Sequence, residues 1–107
     1  MSRLEKLQKL AAADPGDPFV HYGLGLEYAQ LERWEEARAA FAHVLELDPH
    51  YVAAHLQKAR AELRLGRRDI ARQSLQTGIA VATSRGDKHA ADEMSKLLET
   101  LGAEAAG

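Results

Sequence analysis

Apolar residues recur along this chain at intervals of three and four, and proline or glycine interrupts the pattern at short distances. Leu4, Leu7, Leu10 and Ala11 mark one face of a first helix. Ser2 and Glu5 ahead of them form a capping-box pattern, in which hydroxyl and carboxylate each satisfy a free backbone N–H. Asp14-Pro15-Gly16-Asp17-Pro18 stops this helix and starts the next, with Asp17 as N-cap and Pro18 in the first turn. The spacing predicts a second helix from Pro18 to Leu31, a third from Trp34 to Leu47 and a fourth from Tyr51 to Leu65. A fifth is expected from Asp69, as N-cap, to Ser84. Gly86-Asp87 opens a last helix with Ala90, Met94, Leu97, Leu98 and Leu101 on one face and Gly102 as its expected end. No segment alternates with period two, so the fold class is all-α: six short helices whose tight connections favour antiparallel neighbours.

A shift of 34 residues brings many positions into register. Asp14-Pro15 falls on Asp48-Pro49, His21 on His55, Gly25 on Ala59, Leu31 on Leu65, Ala37 on Ala71 and Leu45 on Ile79. Leu7, Phe41 and Leu75 form one series. Small residues recur where helices must approach closely, and large apolar ones where a core must be filled.

Between His21 and Pro49 the chain has Leu24-Gly25, Tyr28, Ala37, Phe41 and Pro49 at fixed offsets. This stretch resembles the tetratricopeptide repeat, a 34-residue helix–turn–helix unit. Trp34 stands where that family usually has an aromatic residue. His21 replaces the family tryptophan, and Glu32 stands where a turn glycine is common. The second unit keeps Ala59, Gly66 and Ala71, but departs at Lys58, Glu62 and Thr83, where leucine, tyrosine and proline are usual. The resemblance implies an α-α superhelix of stacked helix pairs. Its expected parts are a partial preceding repeat over 2–15, repeats over 18–51 and 52–85, and a capping helix over 87–102.

The resemblance also implies a protein-interaction module or adaptor. Such domains hold an extended or helical peptide in a concave groove lined by the first helix of each repeat. By register, the groove residues are Phe19, Tyr22, Leu26, Ala29 and Gln30 from the first repeat, and Ala53, Leu56, Arg60, Leu63 and Arg64 from the second. Arg60 and Arg64, one helical turn apart, would offer guanidinium groups to a carboxylate-bearing partner; paired with Glu62 or Asp69, they would instead be ordinary surface cations. The clamp with which some members hold acidic chaperone tails is absent, since Tyr22, Gly23 and Leu26 occupy its first-repeat positions. The alternative is structural: repeat faces or an exchanged terminal helix would join two copies into a homo-oligomer.

Composition narrows the remaining chemistry. The chain has 107 residues, no cysteine and a formal net charge of −2, with both signs interspersed. Disulfides, zinc–thiolate sites and a cysteine nucleophile are excluded. Neither a nucleic-acid-binding field nor a membrane span is expected, and the charged N-terminus does not read as a signal peptide, so a cytoplasmic protein is the expectation. The five histidines lack metal-pair spacing, and no metal or cofactor is expected. Gly23-Leu24-Gly25 lacks the third glycine of a dinucleotide fingerprint, and no serine sits in a nucleophile motif. Glu35 and Glu36 read as solvated residues of a helix start, and Arg64, Arg67 and Arg68 as charge at a helix terminus. No enzyme is expected.

Overall fold

The computed structural model describes residues 1–106, with side chains through residue 103. Its elements are α1 (Arg3–Ala13), α2 (Pro18–Gln30), α3 (Trp34–Leu47), α4 (Val52–Arg64), α5 (Arg68–Ser84) and α6 (Lys88–Ala106), with no strand among the described residues. The expected signals set the first boundaries. The Ser2 hydroxyl accepts from the Glu5 amide at 3.1 Å, and the Glu5 carboxylate accepts from the Ser2 amide at 3.3 Å. Asp17 caps α2 by accepting from the Phe19 amide at 2.9 Å, with Pro18 in the first turn.

Two expected boundaries are corrected. Asp69 is not the N-cap of α5, because the helix begins one residue before it and the cap position is Arg67. Asp69 lies in the first turn, where the helix dipole favours a carboxylate, and it pairs with Arg72 at 3.0 Å. Gly102 does not end α6, which runs on to Ala106. A glycine inside a helix costs only about 1 kcal/mol relative to alanine, and Ala103, Ala105 and Ala106 beyond it are the strongest helix formers.

Each helix packs antiparallel on its neighbour in sequence, giving a layered stack of 46 × 29 × 19 Å. The stack is curved. α2 also touches α4, and α4 touches α6, whereas no such approach links α1 with α3 or α3 with α5. The inner, concave side is therefore made by α2, α4 and α6. One part of the core is built on fully buried Phe41 with Ala37 and Ala61, packed by Tyr22, Tyr28, Ala29 and Trp34. The other centres on Leu75 and Met94, with Leu56, Ala59, Ala71, Ala82 and Leu101. Gly25 lies directly under the Phe41 ring: a Cβ there would come within 2.5 Å of it.

The departures from the repeat pattern have local causes. Lys58 and Glu62, one turn apart on α4, stand where Leu24 and Tyr28 stand on α2. Glu62 is fully buried, yet its carboxylate accepts from Lys58 Nζ at 2.8 Å, from Ser74 Oγ at 2.6 Å and from Arg38 Nε at 3.4 Å. Lys58 Nζ also donates to Ser74 at 2.9 Å. The two departures are one compensated exchange, a polar knot tying α3, α4 and α5 together. At the third departure, Thr83 leaves α5 without a proline to stop it. α5 reaches 17 residues against 14 for α3. Consequently α4 starts 34 residues after α2, but α6 starts 36 after α4.

The histidines shared by the two repeats also have a structural explanation. Nε2 of His21 donates to the Pro15 carbonyl at 2.9 Å, and Nε2 of His55 to the Pro49 carbonyl at 3.0 Å. Each ring pins the Asp-Pro loop that precedes its own helix. Burial holds the His55 imidazolium form below the ordinary pKa of 6.5, against the opposing pull of its bond to Pro49. The unfolded chain therefore binds a proton more readily than the folded one. This contribution to stability is complete above pH 6.5 and is lost as the pH falls through the lower folded value. Urea unfolding of wild type and His55→Gln between pH 7.5 and 5 is expected to show a smaller loss of stability on acidification for the variant.

Glu32 makes the α2–α3 turn with φ of 59°, matching the left-handed Gly66 at 76°. A non-glycine residue there carries strain of about 1–2 kcal/mol, partly offset by the greater freedom glycine has in the unfolded chain. Glu32→Gly is expected to raise stability by about 0.5–1 kcal/mol, seen as a rise of a few degrees in Tm.

Candidate functional site: the concave groove

The groove is built where α2, α4 and α6 converge on the start of α3. Ala29, Trp34, Leu56, Leu63 and Leu97 form apolar walls, and Gln57, Arg60, Arg64 and Glu93 bring polar groups to the same cavity, of about 400 Å³. A smaller recess of about 210 Å³ continues between α4 and α6, past Val52, Ala53, Ala90 and Met94. Helical spacing explains the lining: Leu56, Arg60, Leu63 and Arg64 recur at three and four along one stripe of α4.

Of the residues expected in a groove, Ala29, Leu56, Arg60, Leu63 and Arg64 come together at this cavity, and Ala53 lines the adjoining recess. Phe19, 71% exposed, Leu26, 40% exposed, and exposed Gln30 lie on α2 outside its walls. Tyr22 is half-buried, with its ring 5.7 Å from Phe41 and 5.1 Å from Tyr51. Burial raises the pKa of its phenol, while Gln57 and Arg60 pull the other way. Tyr22 therefore packs α2 against Phe41 of α3 and against Tyr51 at the start of α4, and it is not among the residues that line the cavity or the recess.

The cations have different partners from those the sequence suggested. Arg60 pairs across the groove with Glu93 of α6 at 3.2 Å, not with Glu62 or Asp69. The Arg64 guanidinium lies over the Trp34 ring, 5.0 Å from its centroid. Arg67 reaches Glu35 of the preceding helix pair, with one of its two bonds at 3.1 Å, and Arg68 donates to the Leu101 carbonyl at 3.4 Å. Arg67 and Arg68 thus engage neighbouring helices.

Trp34, Gln57, Glu93 and Leu97 were not among the residues expected here. The lone tryptophan was a visible signal, but repeat register assigned it to the second helix of its pair. Glu93 and Leu97 belong to α6, whose two-residue offset put it beyond the reach of the register. Among the described residues, no three His, Asp or Glu side chains converge to hold a metal ion, and no helix is long and apolar enough to cross a membrane.

Curved stacks of antiparallel helix pairs with a lined concave face define the class of α-helical repeat proteins. The tetratricopeptide repeat family model matches residues 18–51, the α2–α3 pair with its turns. The TPR repeat-containing protein PA0015 of Pseudomonas aeruginosa is 32% identical over 98 residues, covering 92% of this chain and 93% of that protein. The solution structure of protein BPP2914 from Bordetella parapertussis superposes with a TM-score of 0.86 at 29% identity, covering 99% of this chain and 92% of that one. The fold is also that of PcrH, crystallised with the chaperone binding region of PopD, with a TM-score of 0.90 at 22% identity over 95% of this chain and 77% of that one. This chain belongs to the tetratricopeptide repeat family.

Proposed function

We propose that this protein is an adaptor whose concave face holds a short segment of another polypeptide, one bulky apolar side chain entering the cavity between α2, α4 and α6. The observation that carries the reading is that cavity: apolar walls from Trp34, Leu56, Leu63 and Leu97 beneath a charged rim. It matches the general form of recognition sites, in which apolar lining supplies affinity and a few polar groups set orientation. Phe19 and Leu26 of α2 add exposed apolar side chains outside the cavity. The complex of PcrH with a segment of PopD lends support from a protein of the same fold. The repeats at 18–51 and 52–85, with α1 and α6 covering the ends, would act as one unit.

A photo-crosslinking residue at Phe19 on α2 and another at Thr77, exposed on α5, test the reading in the host cell. Capture of a partner from position 19 and not from 77 is expected, and the reverse pattern would overturn the proposal. A second reading, self-association, is favoured by Leu10 of α1, an exposed leucine on a helix that packs on one neighbour only. Sedimentation of wild type and Leu10→Glu separates the two. A dimer dissociated by that substitution supports self-association, and a monomer in both cases supports the adaptor.

A further inference from the structure

The groove carries its own carboxylate. Arg60 and Arg64 stand one turn apart on α4 at the rim of the apolar cavity, and a ligand that fills the cavity passes both. They are not equally available. Arg64 is exposed, lies over Trp34 and lines the cavity, whereas Arg60 is engaged by Glu93, which reaches across from α6. The Arg60–Glu93 pair is half-exposed, 48% and 44%. Exposed pairs of this kind are weak, so an incoming carboxylate can displace Glu93 at small cost.

We infer that Glu93 is a specificity-determining residue that occupies Arg60 in place of a ligand carboxylate, and so limits how acidic a peptide the groove accepts. The inference rests on the proposed peptide-binding role. The occupant it implies is a peptide with an aromatic or large aliphatic residue beside a single Asp or Glu. The apolar residue enters between Trp34, Leu56, Leu63 and Leu97, and the carboxylate is read by Arg64. Charge complementarity carries this choice. Arg60 and Glu93 cancel, leaving the rim with one net positive charge from Arg64, and the 3.2 Å contact shows that Arg60 accepts a carboxylate in this position. A peptide with two acidic residues must displace Glu93, and then meets that side chain as a like charge close by. A basic peptide meets Arg64 unopposed.

A phage-displayed library of random 12-residue peptides, panned separately on wild type, Glu93→Gln and Arg60→Gln, tests this. Both substituted side chains are exposed, and circular dichroism confirms folding before panning. Wild type is expected to enrich peptides with one acidic residue next to an aromatic residue or leucine. Glu93→Gln is expected to shift the enriched set to two acidic residues, and Arg60→Gln, which leaves Glu93 unpaired near Arg64, to enrich acidic residues less than wild type does. A synthetic di-acidic peptide from the Glu93→Gln set should bind that variant about three- to fivefold more tightly than wild type. Its di-amide version should bind the two equally. Enrichment of the same sequences on wild type and Glu93→Gln would overturn the role of Glu93 while leaving the groove reading intact. No enrichment on any of the three proteins would overturn both.

Discussion

Glu62→Ala is expected to lower stability by about 3 kcal/mol, seen as a fall in the urea midpoint with little change in slope. Glu62 is fully buried, and three donors converge on it from three helices: Arg38 from α3, Lys58 from α4 and Ser74 from α5. Removing the carboxylate leaves the Lys58 ammonium, 18% exposed, facing Ser74 without a counter-charge. Breaking one side of a buried pair typically costs about 3–5 kcal/mol. The lower end applies because Lys58 and Arg38 keep some access to water. A rescue is also expected. Lys58→Leu with Glu62→Tyr installs the pair already present on α2 as Leu24 and Tyr28, and exchanges an ion pair for apolar burial. Such exchanges are often neutral or better, so the double variant should recover most of the loss. A single Glu62→Ala variant within about 0.5 kcal/mol of wild type would mean that the knot contributes little; that size is typical of surface substitutions.

Gly25→Ala is expected to cost about 2 kcal/mol in the same measurement, although alanine is the better helix former by about 1 kcal/mol. The added Cβ would lie 2.5 Å from Cε1 and 2.8 Å from Cζ of Phe41. Phe41 is fully buried among Ala37, Ala61 and Tyr22, so its ring cannot retreat without displacing them. Overpacking of this kind costs about 1–3 kcal/mol before any helix gain. The second repeat suggests the remedy, because Ala59 and Leu75 occupy the equivalent positions there, both fully buried. Gly25→Ala with Phe41→Leu should therefore lose less than either single change. If the double variant is as unstable as the two losses added, the two positions are not coupled through this contact.

Several features were readable because they are local. The Ser2–Glu5 box, the Asp17-Pro18 start and the Gly66 turn are each decided by backbone groups within a few residues. The 34-residue register located the α4 stripe of the groove and paired His21 with His55. It did not extend to α6, because a single missing proline at Thr83 let α5 run on and shifted everything after it. The end of α6 was misplaced for a related reason: a mid-helix glycine looks like a stop signal when its neighbours are not considered.

The sequence by itself determined the helical class, the pairing rhythm and the face of α4 that looks inward. Periodicity and capping depend on residues within one or two turns, and these are adjacent in the chain. Only the tertiary structure decided the partners of the charges. Arg60 meets Glu93 33 residues away, Arg67 meets Glu35 32 residues away, and Lys58 and Glu62 turned out to be one buried unit with Arg38 and Ser74. A long charged side chain can reach several neighbours. Which one it takes depends on how the helices stack, and that geometry arises when the apolar faces are buried together.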